Sequence, residues 1–444
     1  MRALRVCLVL LVPFQLFVAA RAPCPTPAET GHRAVAGRVG TALVVSIAAA
    51  SAQVVRLPGS QTTSLSADIE EIVAGLGRIS GLKPLRKIQY ERIAKDRVKQ
   101  FLEERIEQVV KPEELRAEEL FLKKFGFVPQ EFDLVKSSVA LLAEQAAAFY
   151  DFRKKKLFLI DQVPSDLERT VLVHELAHAL ADQHFNLAKF VRRAGDDDDG
   201  SLARVAVMEG QATWLMSEYM SRREGIRPAR PTVEAAAGLY PVFEGAPLYL
   251  RETLLFPYTE GRLFQQSVFQ KMGPAAVAEV FRSPPASSQQ ILHSEKYFAR
   301  AGPARPALPD LSTHRAYRQL IEGGVGELDH RILLEQYIGR SESEKVSPLW
   351  RGGRYRLLER KGENSVVLAY SSEWENPAAA REFFRLYRQV LERKWKTIQI
   401  EAELEDRVAG RGDDGCFLLR RAGSLVTSLE GMRSPADAKL DRVR

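Results

Sequence analysis

The chain has 444 residues, 45% hydrophobic and 27% charged, with 64 basic and 57 acidic side chains and a net charge of +7. That length suits two domains of ordinary size, and the composition excludes general disorder. The basic residues are scattered, with no long run interleaved with aromatics, so a nucleic-acid surface is not expected.

Three cysteines, Cys7, Cys24 and Cys416, are too few for a disulfide framework, and no CxxC pair exists to hold zinc. Any metal site must therefore be built from histidine and carboxylate.

The N-terminal region, residues 1–52, reads as a leader. Arg2 and Arg5 precede an apolar run from Val6 to Ala20, with cleavage after Ala22 as one outcome. Arg38 precedes a second run, Thr41 to Ala50, with Ala50-Ser51-Ala52 before Gln53 as the alternative cleavage context. Either reading exports the chain to a secreted or periplasmic location. An uncleaved membrane anchor at 6–20 remains open, although neither run reaches the roughly 20 apolar residues of a spanning helix.

Apolar spacing predicts helices over 67–80, 89–110, 112–125 and 134–148, with Pro112 and two glutamates suiting a first turn. Ala148-Phe149-Tyr150 and Lys156 to Ile160 then read as two strands of a hairpin around a charged turn. Ser165 and Glu168 have capping-box spacing, so a helix is expected from there to Asp182 or Gln183. Residues 195–200, Gly-Asp-Asp-Asp-Asp-Gly, read as a solvated acidic loop; a twelve-residue calcium loop fails at its ligand positions. Ser201 would cap a second helix from Leu202 to about Tyr219, with Met208, Met216 and Met220 in the core. Residues 301–309, rich in Pro and Gly, mark a boundary between a domain at 61–305 and a smaller one at 310–444. In the latter, 354–372 and 415–428 read as strands and 376–393 as a helix. The expected fold class is α+β, mainly helical, with a short sheet followed by a small α+β C-terminal domain.

The chemistry is carried by His174-Glu175-Leu176-Ala177-His178. On a helix the two histidines lie one turn apart, about 6 Å along the axis, so both rings reach one tetrahedral zinc. Glu175, rotated by about 100°, lies beside the metal and serves as general base to metal-activated water. The third ligand is Glu209, in Val207-Met208-Glu209-Gly210-Gln211-Ala212, where small residues let the second helix approach the first. His184 is the rival, but Ala181 stands where the three-histidine arrangement needs a glycine to turn the chain back. Asp182 either holds the second nitrogen of His178 or ends the helix as a solvated acid.

With Ala148 to Asp151, His174 to Phe185, Glu209 to Thr213, Phe256 to Gly261 and Pro284 to Tyr297 in view, the sequence resembles gluzincin-type zinc metallopeptidases. These pair HExxH with a downstream glutamate, and the likeness is nearest to bacterial exported gluzincin-like proteins. It spans about residues 80–310. The resemblance implies a zincin-like peptidase domain with His174, His178 and Glu209 as zinc ligands and Glu175 as catalytic acid and base. Two departures stand out: Thr213 where thermolysin-like members place an aspartate, and Ser294 where a proline usually follows the histidine equivalent to His293.

The expected activity is zinc-dependent hydrolysis of a peptide or protein substrate, with the strand near 156–161 as the edge that aligns it. Alternatives are amide or ester hydrolysis on cell-wall material, and a non-catalytic zinc-stabilised binding protein. Tyr258 and His293 are candidates to donate to the oxyanion, or else are buried, hydrogen-bonded structural residues.

Overall fold

The computed structural model describes residues 65–161, 165–195, 197–225, 240–311, 314–434 and Asp437. Both leader candidates lie outside them. Among the described residues no helix is long and apolar enough to cross a membrane.

The chain is α+β and mainly helical. It opens with α1 (Leu65–Ser80), β1 (Gln89–Ile93), α2 (Arg97–Val109), α3 (Pro112–Phe125) and α4 (Leu134–Gln145). Local chemistry sets several of these ends. In α3, Pro112 sits in the first turn with Glu113 and Glu114, Lys123 and Lys124 complement the last turn, and Gly126 terminates it at φ 83°. Asp133 caps α4 by accepting from the Lys136 amide.

Residues 89–93 depart from expectation. Their helix-forming Gln, Glu and Arg are overridden by parallel pairing with β3 (Lys156–Ile160), in register from Gln89↔Lys156 to Ile93↔Ile160. β2 (Ala148–Asp151) pairs antiparallel on the other side, giving the order β1-β3-β2. The expectation that 156–161 forms a sheet edge is thus corrected: β3 is central, and β2 is an edge. Arg105 of α2 braces the hairpin through a buried ion pair with Asp151, whose other oxygen accepts from the Arg153 and Lys154 amides of the turn.

Next come α5 (Ser165–Phe185), α6 (Leu187–Arg192), α7 (Asp198–Glu224), α8 (Pro241–Glu244) and α9 (Leu248–Met272), then α10 (Ala276–Arg282), α11 (Ser288–Leu292) and α12 (Ser294–Phe298). α7 starts four residues before the expected Leu202, and its cap is Asp197, which accepts from the Gly200 amide. The solvated acidic loop is corrected at Asp198 and Asp199, which are buried. Asp198 accepts from the Tyr355 hydroxyl at 2.9 Å and Asp199 from the Ser288 amide at 3.0 Å. A Cβ added at Gly323 would lie 2.0 Å from Asp198, and one at Gly326 would lie 1.9 Å from Asp199. Those glycines leave the space that lets the start of α7 dock.

The C-terminal part holds β4 (Tyr317–Gly324), α13 (Glu327–Tyr337), α14 (Arg340–Val346), β5 (Trp350–Arg360), β6 (Val366–Trp374), α15 (Pro377–Lys394), β7 (Ile398–Leu404), β8 (Arg407–Gly412), β9 (Gly415–Ala422) and β10 (Leu425–Met432). Its seven strands form one antiparallel sheet, ordered β4-β5-β6-β10-β9-β8-β7. α15, capped by Asn376 on the Ala378 and Ala379 amides, buries Phe383, Tyr387 and Val390 against it. The main core runs from Ile69 of α1 to Val426 of β10, with Phe121 and Phe125 of α3 packed on Tyr355 of β5.

Candidate metal centre

α5 is buried on every face from Val171 to Asp182. One turn apart on it, His174 and His178 bring their Nε2 atoms within 3.0 Å of each other, the rings crossing at 83°. Glu209 of α7 places Oε2 3.2 Å from His174 Nε2 and 3.1 Å from His178 Nε2. These three converge as a metal-ligand set, and each is at most 4% exposed. His184 does not join them: exposed at the end of α5, its Nε2 donates to the Lys83 carbonyl at 2.8 Å.

Gly210 matters for a different reason than the sequence suggested. Its face packs on α9 rather than α5, and an added Cβ would lie 2.1 Å from the Gly261 carbonyl carbon. Close crossing of α7 and α9 at Gly210 and Gly261 fixes Glu209 and Tyr258 on neighbouring helices. The Tyr258 ring lies 6.1 Å from the His174 ring, and Phe152 stands edge-on to His178 at 5.9 Å. His293, the other expected donor, is instead engaged by Glu327 of α13 at 2.8 Å.

The donor set fits zinc. Ligands held at about 2.0–2.1 Å around a tetrahedral zinc stand about 3.3 Å apart, close to the separations of this triangle. Two imidazole nitrogens and one carboxylate oxygen converge as lone pairs for which a divalent cation is the natural partner. Glu175 lies beside the set: Oε2 accepts from the Tyr150 amide at 2.7 Å, while Oε1 is buried with no hydrogen-bond partner among the described residues.

Burial governs the electrostatics. It pushes the Glu175 carboxyl well above the usual carboxylate range, with the Glu209 charge adding to it and the Tyr150 amide opposing it. Burial acts on Glu209 in the same sense, but the two histidines outweigh it and hold its pKa down at about 2. Burial also lowers His174 from its ordinary value, so the ring favours the neutral form that binds metal.

Residues 315–444 match a family described as a domain of unknown function, DUF8575. No curated protein and no solved structure matches the chain. The matched segment holds the seven-stranded sheet and does not include His174, His178 or Glu209.

Asp182 takes neither role expected of it. It is buried, and it accepts from the Tyr150 hydroxyl at 3.1 Å, the Leu187 amide at 2.9 Å and Lys155 Nζ at 2.6 Å. Lys155 adopts φ 54° in the β2–β3 turn to make that contact. The hairpin is therefore tied to α5 twice, through Glu175 to the Tyr150 amide and through Asp182 to its hydroxyl. Sequence reading had Tyr150 only within the Ala148–Asp151 run that carries the resemblance, with no role given to it, and missed Lys155. The signal available was the short apolar run of β2, which gives no register against α5. Thr213 is fully buried on α7, its Oγ1 without a partner among the described residues.

Proposed function

We propose that this chain is a zinc-dependent peptidase of the gluzincin type, acting outside the cytoplasm. The observation that carries the reading is the convergence of His174, His178 and Glu209 to within 3.2 Å of one another, with the unpartnered Glu175 Oε1 beside them. His174, His178 and Glu209 would hold the ion. When bound, zinc supplies a Lewis acid that polarises a carbonyl and makes water acidic enough to ionise near neutral pH.

The protein groups do the rest. Glu175, anchored through Oε2 on the Tyr150 amide, is steady enough for Oε1 to take a proton from the attacking water and return it to the leaving nitrogen. Tyr258, whose ring lies 6.1 Å from that of His174, is the candidate to donate its hydroxyl proton to the oxyanion that develops on the substrate carbonyl. A peptide is favoured as substrate by the resemblance that His174, Glu175, His178 and Glu209 carry; the β2 edge is buried, and its Tyr150 amide is taken up by Glu175. Export rests on the apolar N-terminal runs, Val6 to Ala20 or Thr41 to Ala50.

The test is Glu175→Gln, assayed against a mixed peptide library with metal content measured in parallel. The expected result is full zinc occupancy with cleavage lost. Cleavage unchanged in the variant, or wild-type protein that takes up no divalent metal, would overturn the proposal.

A further inference from the structure

A second concave site lies at the far end of α5. A groove of about 550 Å³ opens between the end of α5, α6 and α10, floored by Leu82, Phe185 and Phe281 and rimmed by Lys189, Arg193 and Arg282. Its size falls in the range of small-molecule pockets, roughly 300–1,000 Å³. The floor is aromatic, with Phe185 and Phe281 stacked at 4.4 Å and Phe190 edge-on to Phe281 at 5.0 Å.

The rim is basic, three cations from two helices facing one groove. Lys189, Arg193 and Arg282 are all exposed, and none of them pairs with a carboxylate among the described residues. Arg193 also lowers the pKa of Arg204, behind burial as the larger cause, with Asp197 opposing both. Three cations around an apolar floor, none of them ion-paired among the described residues, complement a ligand that brings both a negative charge and a flat ring.

We propose that this groove is a binding site for a small aromatic anion, an aryl carboxylate or aryl phosphate, seated with its ring on Phe185 and Phe281 and its charge among Lys189, Arg193 and Arg282. His184, on the groove wall, lies six residues beyond His178, about 9 Å along the helix axis, so the site is separate from the metal centre. The proposal stands whether or not the chain is a peptidase.

Isothermal titration of the full-length, metal-loaded protein with phenyl phosphate tests it, with inorganic phosphate and benzyl alcohol as probes lacking the ring or the charge. Phenyl phosphate is expected to bind, and each half-probe to bind at least about tenfold more weakly. Arg193→Ala with Arg282→Ala should weaken phenyl phosphate by about tenfold or more, two charge-assisted contacts being lost. The same double substitution at Arg222 and Arg340 should leave it unchanged. Benzoate in place of phenyl phosphate tells whether carboxylate or phosphate is preferred, and binding of either supports the site. Thermal melting checks the fold, and Lys189→Gln alone provides a milder variant with the same expected direction. Failure of both phenyl phosphate and benzoate to bind, or affinity unchanged in the charge variants, overturns the proposal. Tight binding that persists in the double variant places the anion elsewhere, including at the metal centre, and overturns it equally.

Discussion

Two buried histidine environments in this molecule invite comparison. His330, on α13 beneath the C-terminal sheet, is 1% exposed, as deeply buried as His174 and His178. Its Nδ1 donates to the Gly326 carbonyl at 2.6 Å, so its Nε2 is left to accept from the Tyr370 hydroxyl. Trp374 and Phe383 close around the ring edge-on. Both ring nitrogens meet a complementary protein partner, and the residue is a structural one. In the helical region the Nε2 atoms of His174 and His178 meet each other and a carboxylate oxygen instead. Burial of a titratable ring is common to both, and only the convergence of like-acting atoms distinguishes a site for an ion.

The comparison can be broken most severely at Glu175. Its replacement by Gln should lower kcat/KM by about 10²–10⁴-fold, the usual span for a general base, with zinc retained. The matching change at His330, to Gln, should leave kcat/KM and zinc content unaltered. If the two variants behave alike, the distinction between the regions fails.

At the ligand level, Glu209→Ala should strip zinc from the protein at concentrations where His184→Ala stays fully loaded, as measured by elemental analysis after dialysis. Loss in His184→Ala alone would transfer the third ligand to that residue. Tyr258→Phe sharpens the picture of the same pocket. A drop in kcat of about 10²-fold with KM little changed is the signature of an oxyanion donor, whereas unchanged kinetics would make Tyr258 a packing residue only.

The smallest effect belongs to His330 and is read in stability rather than turnover. Burial, the larger cause, brings its pKa down to about 4 from an ordinary 6.5, against the Gly326 carbonyl that raises it. The fold thus keeps the ring neutral, while the unfolded chain takes up a proton below pH 6.5. Its stabilising contribution is complete above 6.5 and is lost as pH falls toward 4, by at most about 1.4 kcal/mol per pH unit. Urea unfolding of wild type and His330→Gln should converge over that window. Parallel curves from pH 7 to pH 4 would show that His330 does not titrate this way.

Much of the fold was legible because local signals agree with the tertiary outcome. The caps and end charges of α3, the period of α15 and the two apolar runs of β2 and β3 around a charged turn all lie within a few residues of where the structure has them. Where sequence and structure part, a distant segment supplies the reason. Residues 89–93 carry helix formers, but β3 offers them a ladder. The aspartates at 198 and 199 look like a solvated run, yet glycines 323 and 326 lie more than 120 residues away and open the space they fill.

The amino-acid sequence by itself determined the HExxH spacing, and helix geometry then leaves His174 and His178 little choice but to share a face. It also narrowed the third partner to Glu209 or His184. Tertiary structure brings Glu209 and not His184 to the two histidines, because the crossing of α7 and α9 at two glycines fixes where Glu209 lies, and no local pattern encodes that approach. It also decided that β2 rather than β3 is the edge beside Glu175, that Asp182 serves the hairpin, and that Lys189, Arg193 and Arg282 meet around one aromatic floor. Each of these is a relation between segments far apart in the chain, set by how whole surfaces pack.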